Sequence, residues 1–170
     1  MTERHIPDPG FAGDDGSADP GLAAALATYA EARDAVPVLQ ALREARLLVP
    51  VVAVLGEVEV DEHGLAHDKT SDMATVLLTG ADGRQALLAF SSLETLTAWR
   101  PDARPVPVSA VDAAKAALSE GAAALLLDVA GPVMFPVEGA DLEPLAAGWR
   151  LGTVGERTGW VGSFDSPPAE

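Results

Sequence analysis

A chain of 170 residues, 48% hydrophobic and 22% charged, is long enough to bury one respectable core and suits one domain with extended ends. Its 26 acidic residues against 11 basic ones leave a formal charge of -15, a field that repels phosphate backbones and anionic lipid headgroups, so neither nucleic acid nor a membrane is expected as a partner. No residue is Cys, which excludes disulfides, thiolate zinc sites, iron-sulfur clusters and cysteine nucleophiles.

From Met1 to Pro20 the text is rich in Pro, Gly and Asp with isolated apolar residues, the composition of a disordered acidic tail. No EF-hand spacing accompanies its aspartates. Residues 21–150 read as the folded domain. Leu22 to Arg33 fits a helix with Leu22, Leu26 and Tyr29 on one face, Pro37 interrupts it, and Val38 to Arg46 resumes with Val38, Leu39 and Leu42 inward. Leu47 to Leu55 is a continuous apolar run, the pattern of a strand covered on both faces, and Pro50 places its start or an edge there because proline cannot donate to a ladder.

The next stretch, EVEVDEHGLAHDKTSD, gathers Glu57, Glu59, Asp61, Glu62, His63, His67 and Asp68, residue types that could ligate a divalent ion. Gly64 argues for a turn, and the spacing matches no zinc or calcium motif, so the expectation is a solvated loop with no metal and no cofactor. A hairpin follows, with strands around Ala74 to Thr79 and Arg84 to Phe90 joined at Asp82-Gly83 in a type I′ turn. Ser91 and Glu94 have capping-box spacing ahead of a helix from Ser92 to Trp99 that buries Leu93, Leu96 and Trp99.

Pro101, Pro105 and Pro107 stiffen an extended return that suits an edge strand. Ser109 caps a helix from Val111 to Glu120, with Asp112 in its first turn and Gly121 just past its end. Strands over Ala123 to Val129 and Val133 to Val137 and a short helix from Asp141 to Ala147 complete the domain, leaving residues 151–170 as a loosely ordered Gly- and Pro-rich tail. This order of hairpins and crossover helices predicts an α+β fold, one mixed β-sheet of about five to six strands with helices packed on it.

Lys69-Thr70-Ser71-Asp72-Met73, Asp82-Gly83 leading to Phe90, Trp99-Arg100-Pro101 and Arg104-Pro105-Val106-Pro107-Val108 together resemble the N-terminal domain of the SseB (enhanced serine sensitivity) proteins, in the form common in actinobacteria. The resemblance runs from about Val38 to Ala147. It implies a compact α+β domain and brings no catalytic residues with it.

No G-x-S-x-G, P-loop, G-x-G-x-x-G or H-E-x-x-H motif occurs, and the three histidines lie in the tail and the polar loop, so no catalytic residue is assigned and no enzyme is expected. A cytoplasmic protein-interaction or regulatory module fits better, with a small-molecule or metal sensor as the alternative. Its candidate binding residues are Lys69, Ser71, Asp72, Trp99, Arg100 and Arg104, which sit at element ends where polar groups can converge on a partner. Against that stands a purely structural account, in which Trp99 is core, Arg104 pairs with Asp72, and the Ser and Asp form turns.

Overall fold

The structure, a computed structural model, describes residues 10–54 and 72–162, the last two of the first stretch and the first two of the second as backbone alone. Two helices open the domain. Helix α1 (Pro20–Ala32) begins where the Asp19 carboxylate accepts the Leu22 N–H at 2.9 Å, and Pro20 sits in its first turn, where a missing N–H costs nothing. Pro37 likewise falls in the first turn of α2 (Val36–Leu42), so it starts a second helix rather than kinking the first.

Strand β1 (Arg46–Val54) lies between β2 (Asp72–Thr75) and β5 (Arg104–Ser109) in an antiparallel sheet. The expected edge or starting position for Pro50 is therefore corrected: it stands in the middle of the central strand, opposite Pro105. Ladder parity explains why this is tolerated. Ala110 donates to the Ala45 carbonyl at 3.0 Å, so Leu47, Val49 and Val51 exchange hydrogen bonds with β5 while Leu48 and Pro50 face the other way. On that other side Leu48 pairs with Phe90 and β2 begins only at the level of Val51, so the missing N–H of Pro50 falls in the gap between the two partners.

Val76 makes the matching switch. The strand β2 pairs with β1, and its continuation β3 (Leu77–Thr79) pairs with β4 (Gln85–Ala89). The second sheet has the order β3-β4-β6-β7, with β6 (Ala124–Leu127) parallel to β4 and β7 (Phe135–Glu138) antiparallel to β6. Between β4 and β6 the chain forms α3 (Leu93–Trp99), β5 and α4 (Ala110–Ser119). The Leu48 and Phe90 amides each donate to the other's carbonyl at 2.8 Å, which stitches the two sheets together. An α+β fold is thus present, but the single sheet of five to six strands is resolved into two linked sheets, and a hairpin stands apart from both.

That hairpin, β8 (Arg150–Val154) and β9 (Arg157–Val161), occupies residues that composition alone placed in a loose tail. Its two-residue loop carries Gly155 at φ 63° followed by Glu156 at an ordinary φ, the Gly-X pattern of a type II′ turn. The turn after β3 also differs from expectation. Gly83 donates to the Gly80 carbonyl at 3.0 Å and only Gly83 has positive φ, which makes a type I turn with a glycine bulge instead of the two-residue I′ turn. Helix α5 (Leu142–Ala146) follows a single 3-10 turn and ties to β9 through the Trp160 indole, which donates to Asp141 at 2.8 Å.

Side-chain alternation divides the core in two. Leu87, Ala89, Leu125 and Leu127 face the helices α1, α2, α4 and α5, and this is the larger cluster. Leu88 and Phe90 face the opposite way and meet Leu48, Leu96 and Ala103 under α3. Because α3 is only seven residues long, it covers one end of that second face, and among the described residues nothing covers the other end.

Candidate functional site

The C-terminal ends of the parallel strands β4 and β6 meet the start of α3, and a buried polar cluster forms there. Asp128 is 2% exposed and holds a left-handed φ of 53°. Its Oδ1 accepts the Ser91 N–H at 2.8 Å and the Thr95 hydroxyl at 2.7 Å, and its Oδ2 accepts the Ser91 hydroxyl at 2.6 Å. Three donors on two oxygens satisfy a carboxylate that makes no ion pair among the described residues. Among the described residues no buried side-chain nitrogen or oxygen is left without a partner. The arrangement clamps β6 to the α3 start, and the cluster's hydrogen bonds are spent within the domain.

Ser91 is therefore not the cap. Ser92 is, accepting the Thr95 N–H at 3.2 Å, and Thr95 completes the capping box in place of Glu94. Leu93, expected inside, is 40% exposed.

Of the six residues singled out from sequence, Lys69 and Ser71 lie outside the described residues, as do the candidate ligands from Glu57 to Asp68; Asp72 is described in its backbone only. The structure brings Trp99 and Arg100 together. The Trp99 ring lies 5.5 Å from the buried Phe90 ring at 31°, and the Arg100 guanidinium sits 5.3 Å over the Trp99 ring. Arg100 also lies 3.8 Å from Asp102. Trp99 is half-buried, so it is part core and part surface. Arg104 begins β5, exposed, and makes no ion pair among the described residues. Its level on β1 is Val51, which faces Thr75, whereas Asp72 faces Val54, three residues or about 10 Å further along. The register thus places Arg104 level with Thr75 on the far side of β1, and not with Asp72.

Beyond the reach of α3 the bare end of the second sheet face forms a depression of about 400 Å³ floored by Leu78, Ala86, Leu126 and Pro136. At its rim Arg84 lies 2.6 Å from Asp82 and 3.3 Å from Glu138. The hydrogen bond from Arg84 holds the Asp82 carboxyl below the usual range, and the same bond holds the Arg84 guanidinium above its own. Among the described residues no three His, Cys, Asp or Glu side chains gather as a metal site, and no helix is long and apolar enough to cross a membrane.

Residues 10–19, assigned by composition to a disordered tail, turn back over the domain. Arg46, with a side chain 12% exposed, pairs with Asp14, donates to the Ser17 carbonyl and reaches the Ser91 carbonyl at 3.2 Å. The Leu93 N–H donates to the Gly16 carbonyl at 2.7 Å. Sequence reasoning missed Asp128, Thr95, Arg46 and this arm because each depends on a partner far away in the chain. The one local hint was Asp128 itself, a lone acid ending the apolar run ALLL ahead of a Gly-Pro turn.

No curated protein and no solved structure matches the chain closely enough to add a relative. The family model described as the SseB protein N-terminal domain matches residues 22–144, from α1 into α5, the span of the helices and the two linked sheets. The chain belongs to that family.

Proposed function

We propose that this SseB domain is a non-catalytic protein-interaction or regulatory module of the cytoplasm, and that the end of α3 and the start of β5 form its contact surface. One observation carries the reading: Arg100 stacks on Trp99, which itself rests on buried Phe90. Trp and Arg dominate interface hot spots, and a pair already held in place loses little rotamer freedom on binding. Arg104, exposed four residues on, adds a second cation to the same stretch of chain.

The test is capture of partners from a lysate of the source organism with the wild-type domain, Arg100→Ala, Arg104→Ala and a control, Arg157→Ala, on the remote hairpin. Selective loss of the captured proteins with the first two variants, at unchanged melting temperature, is expected. Equal capture by all four, or loss that tracks loss of folding, would remove the surface from consideration.

A further inference from the structure

Two sheet edges in this domain are blunted by proline and a third is not. On β5, the residues that face away from β1 include Pro105 and Pro107, which offer carbonyls but no donors. On β7 the edge carries Pro136. The remaining end of the second sheet is β3. There, Gly80 donates to the Arg84 carbonyl at 2.8 Å and Leu88 to the Val76 carbonyl at 3.1 Å, so residues 76, 78 and 80 exchange with β4. Leu77 and Thr79 consequently turn both N–H and C=O outward, where no described segment pairs with them. No proline, charge or bulge within β3 guards this edge.

The open edge borders the bare sheet face, where Leu78 is 41% exposed beside Ala86 and Leu126. A strand added along β3 would place alternate side chains over that apolar floor. The electrostatics select its composition. The formal charge of the chain is -15, and the one cation among the described residues at the rim, Arg84, is already held between Asp82 and Glu138. A second copy of the chain would bring the same negative field, whereas a cationic segment is drawn in.

We infer that β3 accepts an extended peptide of alternating apolar and basic residues as an additional strand of the β3-β4-β6-β7 sheet. This surface is separate from the Trp99 ledge and stands or falls independently of it. The test uses a fluorescein-labelled nine-residue peptide alternating valine and lysine, followed by anisotropy. Binding to the wild-type domain is expected, with Kd raised about tenfold by Thr79→Pro, which removes one outward donor, and unchanged by Thr79→Val, which keeps it. The same peptide N-methylated at alternate residues should lose binding to the wild-type domain, a result that does not depend on how the proline variant folds. No binding, equal binding of an alternating valine and glutamate peptide, indifference to N-methylation, or a domain that fills its own edge by dimerising in sedimentation would each overturn the inference.

Discussion

Ser91 gives Asp128 both of its protons, the backbone N–H to one carboxylate oxygen and the hydroxyl to the other. Asp128→Ala strands those donors and that of Thr95 in the interior, and a loss of about 3 kcal/mol in urea unfolding is expected. Asp128→Asn should cost about 1 kcal/mol or less. Its amide oxygen can keep the Ser91 N–H and the Thr95 hydroxyl while its NH2 donates to a rotated Ser91 hydroxyl, and Asn also tolerates the left-handed φ. Equal losses for the two variants would show that the negative charge of the acceptor, rather than the hydrogen-bond pattern alone, holds the cluster together.

Arg46 is the nail of the N-terminal arm, tying Asp14 and Ser17 to the Ser91 carbonyl. Arg46→Met keeps the apolar stem and removes the ties, with an expected cost of about 2 kcal/mol. Native-state amide exchange gives the sharper readout. The Leu93 amide, bonded to the Gly16 carbonyl, should lose protection in this variant, while that of Leu88, bonded to Val76, keeps it.

The acid limb of stability has identifiable sources. Asp82 is held below its ordinary pKa by the Arg84 hydrogen bond, and Asp112 by the Ser109 hydroxyl that it accepts at 2.8 Å. A carboxyl whose pKa is lower folded than unfolded adds stability that is complete above the unfolded value of 3.8 and is lost as pH falls through the folded one. The double variant Asp82→Asn, Asp112→Asn should therefore melt with a shallower dependence on pH between about pH 4 and about pH 2 than the wild type. Identical slopes would assign the acid transition to other carboxylates.

Elements whose signals are local could be read from the sequence. Ser109, Asp112 and Gly121 bracket α4 by cap chemistry alone, and the helix begins within one residue of its expected start. Position within a sheet is another matter. Pro50 reads as an edge residue because only the pairing of β1 with two successive partners reveals the gap that holds it. Ser91 and Ser92 are chemically identical candidates for the α3 cap, and the choice is made by Asp128, 37 residues away. In the hairpin, Asp82-Gly83 marks the turn correctly, but Gly80 extends the loop and changes its type. At the candidate surface, stacking of neighbours such as Trp99 and Arg100 is within reach of sequence reasoning, whereas the exposure of Leu78 among the described residues follows from how short α3 is in three dimensions.

Pro50 also bears on how the chain reaches its fold. The segment RLLVPVVAV is β-prone and uncharged after its first residue, and β5, the partner that pairs with its residues from Arg46 to Val51, is synthesised only from Arg104 onward. Until then β1 is a template on which nascent chains could stack. A proline at its centre breaks such a run into pieces shorter than the six or so residues that self-assembling strands require. The finished domain accommodates that break at the gap between two neighbours, so the residue that guards the unfolded chain leaves no donor stranded in the folded one.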